Sequence, residues 1–204
     1  MSYALTMIRG ALSSDSDVSA TRLTPTPGFP GLDPALTQAV DTSLLGAYIE
    51  TREALAGLSP VEAAAGRVHW RTPDSVEIVT SSRGMVLATR GLGADLHAAD
   101  ASQTEALIAT GRGGQASRRH VYLDGIYRTQ SVNLSCRVER SGEQVINVNN
   151  RAHRVIRFDE TCSGASDVIR NSYWRDAAAP GVIRQSIQWV GEDFGRLHLQ
   201  RLVD

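Results

Sequence analysis

Five histidines, His69, His97, His120, His153 and His198, are the side chains best suited to moving protons or binding metal near neutral pH, and no HxH, HxxxH or HExxH pair joins them. A single histidine on a strand is ordinarily a polar residue with a satisfied partner. No serine sits in a GxSxG elbow. Gly111-Arg112-Gly113-Gly114 has the composition of an anion cradle but lacks the strand-before, helix-after context of a nucleotide loop, so it reads as a connection. Asp159 and Glu160 are adjacent; on a strand they point to opposite faces and cannot by themselves form an acid–base pair. All 21 basic side chains are arginine, which excludes lysine Schiff-base chemistry, a phosphate-loop lysine and a Ser-Lys dyad. Residue chemistry therefore favours a binding or assembly protein over an enzyme, and points to no cofactor.

Cys136 and Cys162 are the only cysteines. One disulfide of an exported protein and two buried reduced thiols fit this pair equally, whereas metal binding lacks a CxxC partner and has only His153 between the two sulfurs. The closing segment gathers Tyr173, Trp174, Arg184, Gln188 and Trp189. Aromatic faces with a few polar groups suit sugar contact, and they suit ordinary packing as well.

The elements that would position these residues are mostly strands. Val182–Val190 alternates, with Ile183, Gln185, Ile187 and Trp189 on one face and Arg184, Ser186 and Gln188 on the other, as expected of a half-buried antiparallel strand. Pro180-Gly181 and the Gly191–Gly195 loop bound it, which predicts a meander. Upstream, Arg67–Arg71, Ser75–Thr80, Gly84–Thr89, Arg118–Leu123, Tyr127–Arg140, Gln144–Asn149 and Arg154–Glu160 read as strands, with turns at Ser82–Gly84, Asp124-Gly125 and Ser141-Gly142. Thr104–Thr110 reads as a brief helix. Residues 1–32 look extended and irregular. Over residues 33–66 a helical segment is predicted: Asp33-Pro34 resembles an N-cap, Leu36, Val40, Leu44, Ala47, Tyr48 and Leu55 keep a helical stripe, and Ser59-Pro60-Val61-Glu62 with Gly66 delimits a second helix. The expected fold is mainly β, one domain over residues 1–204. Residues 67–204 form a large antiparallel meander sheet curled into a half-barrel or sandwich, behind an N-terminal α-helical segment.

The length suits one substantial core, and the net charge of −1 argues against a nucleic-acid binder. Residues 1–104 carry 7 arginines against 11 acids, and residues 105–204 carry 14 against 11. The arginine-richer half suits an acidic polysaccharide or anionic lipid heads, and solvated strand faces account for it too. No apolar stretch approaches the length of a membrane-spanning helix, and no export signal precedes the first strand; the chain is either cytoplasmic or relieved of its signal.

Two stretches resemble the YjbF/GfcB family of periplasmic lipoproteins linked to group 4 capsule and exopolysaccharide production. Gly84–Leu96 is similar to a GxxxxTxGLxxDL pattern, and Asn171–Trp174 followed by Gly181–Trp189 to an NxYWxD…GxxxxSxQ pattern. Glu160-Thr161-Cys162 is similar to a strand ending in Glu-x-Cys just before the second pattern. The resemblance implies a β-rich half-barrel, export, and anchoring to the outer membrane through an N-terminal lipidated cysteine, although this chain shows neither lipobox nor cysteine near its start. Export would favour a Cys136–Cys162 disulfide. It further implies a non-enzymatic accessory in polysaccharide secretion, holding a glycan or a secretion protein, with Tyr173, Trp174, Arg184, Gln188 and Trp189 as candidate contacts. The alternative is a carrier of lipid or another hydrophobic ligand in the concave face of the sheet.

Overall fold

The computed structural model describes residues 29–30, 37, 42–124, 126, 128–164 and 168–204. Twelve strands follow one another: β1 (Leu44–Ile49), β2 (Ala54–Ala64), β3 (Arg67–Arg71), β4 (Glu77–Ser81), β5 (Val86–Arg90), β6 (Leu96–Asp100), β7 (Gly114–Leu123), β8 (Thr129–Val148), β9 (Arg151–Ser163), β10 (Val168–Asp176), β11 (Ile183–Gly191) and β12 (Gly195–Val203). One helix, α1 (Ser102–Ala109), lies between β6 and β7. They form one antiparallel sheet in the order β5-β4-β3-β2-β1-β12-β11-β10-β9-β8-β7-β6. The edge strands β5 and β6 are consecutive in the chain, so the sheet curls until its two edges meet and a barrel nearly closes.

Side chains, not a backbone ladder, join that seam. The Asp95 carboxylate accepts hydrogen bonds from Thr89 Oγ1 and from the Gly91 and Leu92 amides, and Thr89 Oγ1 accepts one from the Leu96 amide. The Arg90 guanidinium donates across to the Leu96 and His97 carbonyls. Thr89, Gly91, Leu92, Asp95 and Leu96 of the first sequence pattern thus work as a latch that satisfies backbone groups an open edge would leave unpaired.

The helical segment predicted over residues 33–66 is corrected from Leu44 onward, while Thr37 is helical. Residues 33–41 lie outside the described residues apart from Thr37, but Leu44–Ile49 and Ala54–Ala64 are strands joined by a 3-10 turn at Glu50–Arg52. β1 is buried on both faces from Leu44 to Ala47, and a continuous apolar run has no period to tell helix from strand. Pro60 falls where the β2–β3 register shifts, a position a strand tolerates for proline, so Ser59-Pro60 caps no helix. Gly66 has φ +74° after Ala65 at φ +51°, the left-handed pair of a tight hairpin; a helix end makes the same demand on glycine, which is why the two readings coincide in sequence.

Two more expectations change. Ser141-Gly142 is not a turn but a bulge within the 20-residue β8, so the expected Tyr127–Arg140 and Gln144–Asn149 strands are one. The bulge lets the far end of the β8–β9 hairpin curl outward, where Ile146, Val148 and Val155 pack with Trp174, Leu202 and Leu44. This flap is why β11 is buried on both faces instead of half-buried: Gln185, on its outer side, donates to nothing in water but receives the Gln200 side-chain amide at 3.0 Å.

Inside the barrel, Leu45, Leu58, Trp70, Ile78, Leu96, Phe194 and Leu197 make one apolar cluster, and Met85, Ile108, Leu134, Val138, Phe158, Tyr173 and Ile183 another. Where β5 approaches β11, Gln188 donates to the Gly84 carbonyl and accepts from the Val86 amide. Gly84 has φ +112°, and a Cβ there would stand 3.3 Å from Ile183, so the crossing requires glycine. α1 closes one end of the barrel: Glu105 accepts from Ser81, Ala109 O from Arg175, and Gln103 from the Ser117 amide.

Candidate functional site

At the centre of the barrel wall stands Glu160, 1% exposed. Its carboxylate accepts hydrogen bonds from Thr104 Oγ1, Asn171 Nδ2 (2.7 Å) and Tyr173 Oη (2.8 Å) and pairs with Arg118 Nη1 at 3.3 Å. Strand alternation aims these groups inward: Asn171 and Tyr173 on β10, Glu160 opposite Asn171 on β9, and Arg118 on β7. Burial alone would push the Glu160 carboxyl up, but the Arg118 charge and the three donors hold it below the usual carboxylate range. Burial beside this carboxylate drives the Tyr173 phenol well above its ordinary value. The three donors and Arg118 occupy the Glu160 carboxylate, whereas Arg118 Nε and Nη2 find no hydrogen-bond partner among the described residues. Asn171 also accepts from the Trp189 amide at 2.7 Å, tying the cluster to the next strand.

The Cys136 and Cys162 sulfurs lie within 4.8 Å of the Glu160 carboxylate and are bonded to each other, the disulfide of the two states the sequence left open. Directly opposed across β8 and β9, they form the disulfide that locks the wall behind the cluster. Bonded sulfurs are not thiolate ligands, so no metal centre is assigned to this group.

Opposite the α1 end, the barrel opens into a cavity of about 360 Å³. Val132, Leu134 and Ile169 make an apolar wall; His120 and Tyr122 stand beside them on β7, His120 paired directly with Val132, and Trp189, Gln130, Glu192 and Asp193 complete the lining. His120 and Tyr122 are hydrogen-bonded at 3.1 Å with their rings edge to face. Burial, reinforced by the nearby Arg118 charge, lowers the imidazole to about 3, so it is neutral near pH 7. Burial pushes the Tyr122 phenol up to about 12, against the opposing pull of Arg118 and of the Trp189 side chain. At neutral pH the interior part of the mouth therefore offers uncharged donors, acceptors and aromatic surface, with charge only at its acidic rim.

The five candidate contacts do not share one surface. Trp189 alone lines the mouth. Tyr173 is buried on Glu160, and Gln188 staples β11 to β5. Trp174 lies under the hairpin flap, its indole donating to Gln144 at 2.9 Å. Arg184, on the far side, is held by Asp176 and Asp204. His120 and Tyr122 carry no local motif; the alternation Ala116, Arg118, His120, Tyr122 is the pattern that puts them side by side on the inward face of β7.

A family model described as group 4 capsule polysaccharide lipoprotein GfcB, YjbF matches residues 36–202. No curated protein matches the chain. Among solved structures, the crystal structure of the hypothetical lipoprotein YmcC from Escherichia coli K12 is similar, with a TM-score of 0.73 at 20% identity over 84% of this chain and 88% of that one. At that identity the likeness is one of fold.

Proposed function

The chain belongs to the group 4 capsule polysaccharide lipoprotein family of GfcB and YjbF, and on that basis we propose that it is a non-enzymatic accessory of capsule or exopolysaccharide production, working in the periplasm at the outer membrane and holding a glycan segment in the mouth of its barrel. The observation that carries this reading is the mouth itself: Trp189 and Tyr122 present ring surface, and Gln130, His120 and Tyr122 present neutral hydrogen-bonding groups around one cavity. Sugar rings bind through apolar C–H faces stacked on aromatics and hydroxyls met by a few placed polar groups. The volume falls at the low end of the roughly 300–1,000 Å³ of small-ligand sites, which suits one end or one bend of a chain. The fully committed Glu160 and the neutral His120 support a binding role over hydrolysis, for which paired free carboxylates would be needed. The test is calorimetric titration with oligosaccharides from the producer's own polymer. Trp189→Ala, which removes a half-buried ring at the opening, is expected to weaken binding about tenfold or more, a loss of about 1.4 kcal/mol, with the melting temperature nearly unchanged. Unchanged affinity would refute the assignment.

A second reading is favoured by the apolar wall of Val132, Leu134 and Ile169, which could hold an acyl chain. An acyl-chain fluorophore that binds wild type and is displaced by fatty acid but not by oligosaccharide would favour that carrier role.

A further inference from the structure

The outer face of β7–β10 carries ordered rows of polar side chains with arginines among them. Alternate residues of these strands point inward, among them Ala116, Leu134, Cys136 and Cys162, and those between them point out. In register across four strands, Gln115, Arg137, Thr161 and Arg170 form one row, and Ser117, Ser135, Ser163 and Val168 the next. Arg119 and Asn133 begin a third. Every one of these side chains is exposed. Arg170 forms no hydrogen bond or ion pair among the described residues. Arg137 has only Glu139, an ion pair whose members are 67% and 63% exposed and which gives way readily.

We propose that this face is a second docking surface, separate from the mouth, that holds a strand of acidic polysaccharide. Arg137 and Arg170 flank Thr161 on alternate strands, about 10 Å apart at the backbone, and each guanidinium can take a carboxylate through two parallel hydrogen bonds. Between them, hydroxyl and amide side chains meet sugar hydroxyls. Charge complementarity names the occupant: these rows carry Arg119, Arg137 and Arg170 and no acid, while the mouth has an acidic rim of Glu192 and Asp193 that repels a uronate. Within these rows Val168 is the one apolar side chain and none is aromatic, so they offer a protein partner no buried hot spot; the exposed Leu123 lies farther along β7.

The experiment measures binding of three probes to the full chain by biolayer interferometry: oligogalacturonate, neutral dextran oligomers, and vesicles of phosphatidylglycerol with phosphatidylcholine. Wild type is expected to bind oligogalacturonate more tightly than dextran oligomers, with an affinity that falls as salt is raised through the screening range. Arg137→Ser with Arg170→Ser is expected to lose about tenfold of that affinity, and Arg137→Glu with Arg170→Glu to lose more; both pairs are exposed, and equal melting temperatures verify the fold. Both double variants should leave unchanged the oligosaccharide binding at the mouth that Trp189→Ala weakens, so failure here and failure of the mouth reading are distinguishable. No oligogalacturonate binding by wild type, or equal binding by the double variants, overturns the proposal. So does arginine-dependent retention on anionic vesicles that exceeds binding to oligogalacturonate, which would assign the face to membrane.

Discussion

Asp159 and Glu160 are neighbours with opposite fates, as strand geometry requires. Asp159 faces out, where Arg157, Ser141 and Ser172 bind it; Glu160 faces in and is buried on Arg118. Removing the inward carboxylate leaves the Arg118 charge buried without its counter-ion, and Glu160→Ala is expected to cost about 3–5 kcal/mol in urea unfolding. Asp159→Ala, by contrast, is expected to cost under about 1 kcal/mol. Equal costs would contradict the buried-charge account. His120 gives the protein an acid sensitivity. Its folded value of about 3 lies below its ordinary 6.5, so between these pH values the unfolded chain takes up a proton that the folded chain does not. Stability contributed by the neutral ring is thus present above pH 6.5 and is lost as pH falls toward 3. Glu160, also lowered from its ordinary 4.5, adds a loss in the same direction below that pH. Urea midpoints should decline from pH 7 to pH 5 in wild type, and His120→Gln should flatten that decline; a parallel slope in the variant would contradict the assignment.

The hydrogen bonds of the β5–β6 seam come from Thr89, Arg90 and Asp95, with no ladder beneath them, over the buried Val86 and Leu96 side chains. Thr89→Val with Asp95→Ala is expected to cost about 1–3 kcal/mol and to speed amide exchange in β5 and β6 while β8 and β9 remain protected. Uniform acceleration throughout the sheet would show that the seam is no separate unit. The strands of the closing meander were readable from Pro180-Gly181, Gly191–Gly195 and period two, and β3 is bounded at Arg67 and Arg71 as the β-branched pattern predicts. β1 and β2 were not readable, because Leu44–Ala47 is apolar on both faces and Ala-rich β2 has helix-forming composition that tertiary pairing overrides. β6 was hidden for a similar reason: Leu96–Asp100 has one buried anchor, Leu96, and is a strand because β7 pairs with it. Of the site, Trp189 was legible as an aromatic beside a turn. His120 and Tyr122 were not, because what makes them a site is the curl that brings β7 opposite β11, which no local pattern encodes.

As a whole the molecule is a barrel capped by α1 at one end, latched along one side and open at the other. The residues that carry the family resemblance mostly hold this shape: Asp95 at the seam, Gln188 between β5 and β11, and Glu160, Asn171 and Tyr173 in the wall. Cys136–Cys162 closes a loop with a sequence separation of 26, and Cys136→Ser with Cys162→Ser is expected to cost about 2–4 kcal/mol in unfolding free energy without abolishing the barrel. The mouth is where this framework leaves aromatic surface open, and the three tryptophans of the chain allow a direct reading, since each contributes one indole N–H resonance. Trp70 and Trp174 are 3% exposed, with their indoles bound to Thr80 and Gln144, while Trp189 lines the cavity. Titration of isotope-labelled protein with oligosaccharides of the producer's polymer, followed by indole N–H chemical shifts, should move the Trp189 resonance and leave those of Trp70 and Trp174 in place. Saturable binding with a stationary Trp189 resonance would contradict the account.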